Sequence, residues 1–399
     1  MENVLKQSLP KRFAPHNLQV AYGKKTDEEL KQAHWLFSVL GRPALATAGS
    51  LAAVWSLRLG LPVKDLIRES VFKYFCGGET AEKALKVVEE LAAAQVGTVL
   101  DFAADTPETE AGFDAVRDEI LHAIGLARQT KSFSRISLKP TRLGYTSIFL
   151  KLQEQRVLKA EETAAFERTV ARLNAICNAT AEANLTVYLD AGESWLQDPV
   201  DDLAEKIMFS YNKKRAVVFN TLQMYRTDRI NYLYDCLDRF KGKETVLGIK
   251  LVRGAFLEQE RERAARFGYP SPVFATKDDT DHSFNHAIDI CLENLDRLEL
   301  CAATHNEFST QYLTRRIQKG EIRQHRERIH FIQHFGMSDH LTFNLASAGY
   351  DTAKYLPYGD VNMALPHLIR KVQENKSIAD QTAHERSLLE KELQRRQQL

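Results

Sequence analysis

The 399-residue sequence is short of several things, and each absence narrows what it can be. There are five cysteines, Cys76, Cys177, Cys236, Cys291 and Cys301, odd in number and without a CxxC pair. That spacing supports neither a disulfide framework nor a thiolate zinc site. The expectation is reduced, mostly buried thiols in a cytoplasmic protein. Net charge is equally scarce, since 54 Lys and Arg against 53 Asp and Glu leave +1. So balanced a chain offers no electrostatic case for nucleic acid or an anionic membrane as partner. Long apolar runs are missing too. The longest uncharged stretch lies between Arg42 and Arg58 and is broken by Gly49 and Ser50. It falls short of the roughly 20 residues that span a bilayer, so a buried helix is expected there. Met1 to Asn17 alternates charge with isolated apolar residues and has no signal-peptide h-region. No nucleophile elbow, HExxH or Walker lysine occurs, which leaves hydrolase and phosphotransfer readings without a motif.

What is present is order. Residues 26–95 read as an N-terminal helical segment, opened by Thr26-Asp27-Glu28-Glu29 and carrying apolar residues at Leu30, Trp35, Leu36 and Leu40. Gly77 and Gly78 break the pattern before a second helix from Thr80 to Ala94. After Gly97 short apolar runs alternate with amphipathic segments. The runs are Thr98–Phe102, Arg135–Lys139, Leu185–Asp190, Ala216–Asn220, Thr245–Val252, Leu300–Thr304, Ile329–Gln333 and Thr352–Leu356. Repeated strand-then-helix with nearly continuous apolar strands predicts a parallel sheet, and eight strands predict closure into a (β/α)8 TIM-type barrel. An open doubly wound sheet would want a glycine-rich turn after the first strand, where Asp101-Phe-Ala-Ala-Asp105-Thr-Pro107 supplies none. The organisation expected is therefore a helical segment over 1–95, a barrel over 96–380 and a charged C-terminal helix or tail over 381–399. That tail is read as lying on the surface or fraying from it.

Barrel active sites form at the carboxyl ends of the strands, and that is where unusual polar residues collect. Lys139 ends the second strand and Asp190 the third, followed by Gly192 and Glu193. Gln223 and Tyr225 follow the fourth, Lys250 and Arg253 belong to the fifth, and Thr304-His305-Asn306 close the sixth. Gln333 and Tyr355 close the last two. Singly, each is more often a surface charge or a structural histidine; seven strand ends of eight is a convergence a merely structural rim does not need. Beyond them, a helix opening near Asn362 would put His367, Arg370, Lys371 and Glu374 on one face. Cations late in a helix are ordinarily solvated, but here they would face the same mouth. Lys139, Arg253, Lys277, Arg370 and Lys371 outnumber Asp190 and Glu374, so the pocket expects anionic groups such as a carboxylate or phosphate.

The set Lys250-Leu-Val-Arg253-Gly254-Ala255-Phe256, Ala303-Thr304-His305-Asn306, Phe219-Asn-Thr-Leu-Gln223-Met-Tyr225 and Tyr355 followed by Pro366-His367-Leu-Ile-Arg370-Lys371 resembles the proline dehydrogenase family. The resemblance runs in order from about Phe75 to Asn375. It implies an FAD-dependent barrel that oxidises L-proline to pyrroline-5-carboxylate by hydride transfer, the first step of proline catabolism, with no aldehyde dehydrogenase half. It implies that Arg370, with Lys371 and Lys139, holds the carboxylate, that Asp190 stands near the amine, and that Tyr355 and His367 wall the ring. Gln223, Arg253, Gly254 and Ala255 would meet the isoalloxazine side of FAD. Lys250, Lys277, Thr304, His305 and Glu374 would meet its ribityl, phosphate and ribose portions. No metal is expected. Reoxidation would use a quinone or another acceptor, and a quinone would bring the protein peripherally to the inner membrane.

The sequence departs from the family in three motifs, at four positions. His367 stands for a tyrosine and Lys371 for an arginine, Phe256 stands for a hydroxylated aromatic, and Gly192 stands for an acid. Lys371 keeps its charge but loses the planar fork, which would weaken carboxylate binding by about 1–2 kcal/mol. Retained Tyr355 favours proline over hydroxyproline. The alternatives are another cyclic amino acid as substrate, or a weakly active or non-catalytic paralogue.

Overall fold

The computed structural model describes residues 10–42, 68, 72–104, 106–322, 324–364 and 377–398. Eight parallel strands close into a barrel in sequence order. They are β1 Gly97–Phe102, β2 Arg135–Leu138, β3 Thr186–Leu189, β4 Val218–Gln223, β5 Leu247–Val252, β6 Leu298–Ala303, β7 Ile329–His334 and β8 Thr352–Tyr358. Closure comes from β1 pairing β8, with Val99 opposite Tyr355. All eight expected strands are present. β6 begins two residues early, because Leu298 and Glu299 pair with Leu247 and Gly248.

The strand sequences explain why the sheet closes. Alternate residues face in, and Val99, Tyr188, Phe219, Cys301, Ile332, Ala353 and Tyr355 form the barrel's own core. Their neighbours, such as Val187, Leu189, Val218, Leu222 and Leu356, join the larger layer beneath the helices. Each fully buried Leu, Val or Phe contributes about 1.5–3 kcal/mol, so both faces of every strand are held. The helices begin where short polar side chains cap them. Thr80, Thr109, Thr276 and Asn306 each accept a hydrogen bond from a first-turn backbone N–H.

Before the barrel, the helix Asp27–Leu40 opens on a Thr26/Glu29 capping box. Leu30, Ala33, Leu36 and Phe37 are its buried face. Trp35, expected on that face, is 62% exposed, because it falls off the 30-33-37 stripe. The C-terminal helix Ser377–Gln397 neither lies free nor frays. Leu388 and Leu389 are buried against Ala21, Tyr22, Leu30 and Phe37, and Arg396 reaches Asp27 at 2.8 Å. The two ends of the chain thus form one layer. All five cysteines are free and buried. The run between Arg42 and Arg58, expected as a buried helix, lies outside the described residues. No described helix is long and apolar enough to cross a membrane.

Candidate active site

Period two along the strands sets the site. From β2 the inward positions lead through Ser137 to Lys139, from β3 through Tyr188 to Asp190, and from β8 through Ala353 to Tyr355. Asp190 is the hub. Lys250 Nζ lies 2.5 Å from its Oδ1. Its Oδ2 accepts from the Tyr355 hydroxyl at 2.8 Å and from Ser137 Oγ at 2.8 Å. Burial, then the charges of Asp101 and Asp190, push the Tyr355 hydroxyl well above its ordinary range. It therefore stays protonated and donates. The Lys250 ammonium also sits 5.3 Å from the Tyr188 ring centroid and 5.4 Å from that of Tyr355. One carboxylate and two aromatic faces together offset the cost of burying that cation.

Lys139 stands next to this cluster, bonded to Glu193 Oε2 at 3.0 Å and 4.8 Å from the Phe256 ring centroid. Phe256, where the family pattern has a hydroxylated aromatic, thus offers Lys139 a π face in place of an acceptor. Gly192 leaves room for the same lysine, since a Cβ there would meet Lys139 Cε at 3.3 Å. The Gly192 carbonyl accepts from Gln223 Nε2 at 2.7 Å, and Gln223 Oε1 accepts from the Ala255 N–H at 3.0 Å. Gln223 so fastens the turns after β3 and β5 to one another. Gly254 adopts φ +141°, and a Cβ there would lie 2.4 Å from the Tyr225 ring. Only glycine allows this turn.

On the far side, Arg253 donates to Asp281 Oδ1 at 2.5 Å, to Ser309 Oγ at 2.8 Å and to Thr304 Oγ1. Lys277 reaches Asp281 Oδ2 at 2.5 Å and is 60% exposed. His305 bonds Ser338 Oγ through Nδ1 at 2.8 Å and stacks on His334 at 5.4 Å. Burial, then the charges of Lys354 and Arg253, lower His305 to about 3, so it is neutral at physiological pH.

The expected residues fall into three groups. Asp190, Lys250 and Tyr355 meet directly. Lys139, Gln223, Gly254 and Ala255 border them, and Arg253, Lys277, Thr304 and His305 form a second, adjoining cluster. The mouth is less cationic than expected, because Glu193 and Asp281 pair with Lys139, Arg253 and Lys277. Residues 361–364 are helical, with Asp360 Oδ1 accepting from the Asn362 N–H at 2.8 Å, so the expected helix opens there. His367, Arg370, Lys371 and Glu374 lie outside the described residues. Ser137 was missed, although it is two residues before Lys139 on one strand and so legible by alternation. Asp281 was legible as the i+4 partner of Lys277. Ser309 and Ser338 carried no such signal. A cavity of about 330 Å³ bordered by Trp195, Arg226, Arg263 and Tyr269 involves none of the expected residues.

The donors suit a flavin dinucleotide on chemical grounds. Arg253 and Lys277 supply cations at the start of the helix Lys277–Leu292, where a diphosphate is favoured. Gln223 retains an amide N–H beyond its two backbone bonds.

The proline dehydrogenase family model matches residues 84–384. The carbapenem antibiotics biosynthesis protein CarD of Pectobacterium carotovorum subsp. carotovorum is 33% identical over 323 residues, 81% of this chain and 83% of that protein. Proline dehydrogenase 1, mitochondrial, of Dictyostelium discoideum is 30% identical over 384 residues, 85% of this chain and 67% of that protein. The crystal structure of proline utilization A from Bdellovibrio bacteriovorus superposes with a TM-score of 0.67 at 17% identity. It covers 76% of this chain and 32% of that chain, and at that identity it speaks for the fold alone.

Proposed function

This chain belongs to the proline dehydrogenase family, and on that premise we propose that it oxidises L-proline to pyrroline-5-carboxylate with FAD as the resident cofactor. The observation that carries the reading is the inward-facing cluster of Asp190, Lys250, Tyr355 and Ser137 at the carboxyl end of a closed barrel, with Lys139 beside it. Such a cluster presents a fixed carboxylate, a buried cation and an aromatic wall to one small molecule.

In this reading proline gives up a hydride from C5 and a proton from nitrogen, and the nitrogen lone pair becomes the second bond of the imine. Flavin, when bound, supplies the hydride acceptor. The chain supplies orientation and charge. Arg370 and Lys139 hold the substrate carboxylate, Tyr355 limits the space beside the ring, and Asp190 faces the amine. Lys250 fixes the Asp190 carboxylate in place, so it does not swing toward the cations that hold the substrate. When flavin is bound, Gln223 and Arg253 would hold its isoalloxazine side, and Lys277, Thr304, His305 and Glu374 would hold its phosphate and ribose portions. A neutral His305 donates or accepts without adding charge. Because the amine reacts unprotonated, turnover rises with pH. A quinone is the acceptor we favour, with the protein cytoplasmic and touching the inner membrane peripherally.

Anaerobic titration of the purified flavoprotein with proline tests this function. A flavin reduced by hydroxyproline and not by proline would replace the substrate while keeping the scaffold.

A further inference from the structure

We propose that the protein carries a structural zinc-class metal site, separate from the flavin, made by His16, Glu307, His340 and His384. The four residues come from segments far apart in sequence. His16 precedes the helix Leu18–Tyr22, and Glu307 begins the helix Glu307–Gln318 after β6. His340 lies in Asp339–Ser347 after β7, and His384 lies in the C-terminal helix. Ligand atoms of Glu307, His340 and His384 all lie within 4.8 Å of one another. His340 Nε2 and His384 Nε2 are each 3.9 Å from Glu307 Oε2. His16 Nε2 is 3.0 Å from Glu307 Oε1, which also accepts from Gln311.

The bland account is a histidine cluster packed around one carboxylate. His340 argues against it. Its side chain is 0% exposed, yet neither ring nitrogen has a hydrogen-bond partner. A buried imidazole with both nitrogens unmatched loses its water without replacement, a cost that a bound ion would relieve. Its Nε2 stands 3.9 Å from Glu307 Oε2, too far for a hydrogen bond but close enough for both atoms to reach one ion. Around zinc, ligands at ~2.0–2.2 Å in tetrahedral array stand roughly 3.4 Å apart, so side-chain shifts of about 1 Å close the present spacing. His16 is 70% exposed and free to make that adjustment. Its flanks are already held, as Asn344 donates to the carbonyls of Pro15 and Asn17 at 3.4 and 3.2 Å.

The donor set selects the ion. Three imidazoles and one carboxylate favour zinc, cobalt or nickel over magnesium or calcium, which want oxygen. With His16 drawn in beside the three clustered ligands, all four positions would be filled by protein, the mark of a structural and not a catalytic site. Its effect would be to clamp both chain ends to the barrel beside β6 and β7. The clamped helix also holds Ser338: Glu385 Oε1 accepts from its N–H at 2.8 Å, and Gln381 donates to its hydroxyl at 3.0 Å. Ser338 in turn bonds His305, so the metal would steady one edge of the candidate active site from behind.

The test uses the untagged full-length flavoprotein, stripped with a chelator and titrated with zinc. One zinc per chain should survive desalting, and cobalt in its place should give the visible bands of a tetrahedral site. Saturating zinc should raise Tm by about 4 °C or more. Glu307→Gln and His384→Ala, both on the accessible side, should melt near the stripped wild type yet lose zinc affinity by ~100-fold. His340→Asn serves as a third variant for the buried ligand. Less than ~0.1 zinc per chain after desalting, or affinity unchanged in Glu307→Gln and His384→Ala, would overturn the proposal.

Discussion

Lys250 and Asp190 face each other across the barrel interior, ammonium to carboxylate at 2.5 Å, from β5 and the end of β3. Lys250 is buried, with that carboxylate and the rings of Tyr188 and Tyr355 around its ammonium. Asp190→Asn should therefore destabilise the protein by about 1–3 kcal/mol, less than a fully buried pair because Asp190 keeps some solvent access. It should lower kcat/KM for proline about 100-fold. Adding Lys250→Met removes the stranded charge and should restore most of the stability without restoring activity. Thermal denaturation of both single variants and the double variant checks the coupling; additive losses would show that the two residues do not depend on each other.

Gly254→Ala should separate folding from cofactor loading. A methyl at φ +141° would meet the Tyr225 ring at 2.4 Å, so the turn joining Gln223 to Ala255 must move. Flavin absorbance per chain should drop at least ~5-fold while far-UV circular dichroism stays that of the wild type. Full flavin content in the variant would show that this turn does not border the cofactor.

In the proposed pocket Tyr355 would limit the room beside the substrate ring. Tyr355→Ser removes a buried aromatic wall and its bond to Asp190. The ratio of kcat/KM for proline to that for 4-hydroxyproline should fall by ~10-fold or more, since an added hydroxyl finds space and a partner. An unchanged ratio, measured with both substrates on the same preparation, would place the discriminating contact elsewhere.

At the amino end of the strands a second network titrates. His330 Nδ1 lies 2.7 Å from Asp351, which Arg135 also bonds, and His330 Nε2 is 3.5 Å from Glu299. Burial pushes His330 down, but the bonds to Asp351 and Glu299 outweigh it and raise its pKa. Burial pushes Asp351 up, and His330 and Arg135 outweigh that, bringing it to about 2. A histidine raised by folding stabilises most below its unfolded value of about 6.5 and loses that contribution as pH climbs through its folded value. A carboxylate lowered by folding stabilises above ~4 and loses its contribution as pH falls toward 2. The Tm difference between wild type and His330→Gln should thus be largest between about pH 4 and 6.5 and shrink by pH 9. A difference that is constant with pH would mean that His330 is not charged in the fold.

The eight strands were legible because each is a short apolar run between helical segments, and seven of them lead into a polar residue. The primary cluster was legible for the same reason, since strand ends at Lys139, Asp190, Lys250 and Tyr355 must share a rim once the barrel closes. What pairs with what was not. Glu193 pairs with Lys139, and Asp281 with Arg253, through contacts that only the loops' tertiary course decides, although the Lys277–Asp281 pair is local to one helix. The burial of Leu388 and Leu389 was hidden for a related reason: a helix rich in charge still hides one stripe when a partner surface is at hand. Trp35 shows the converse, an apolar residue counted with its neighbours although its phase turns it outward.

The central claim is that this barrel holds a flavin which proline reduces, and the direct measurement is anaerobic absorbance of the purified protein during a proline titration. The account predicts a yellow protein whose flavin band near ~450 nm bleaches at millimolar proline and recovers on adding a quinone. It further predicts that Arg370→Met keeps its flavin while needing at least ~10-fold more proline for the same bleaching. A colourless protein, or a flavin band that proline leaves unchanged, would contradict it.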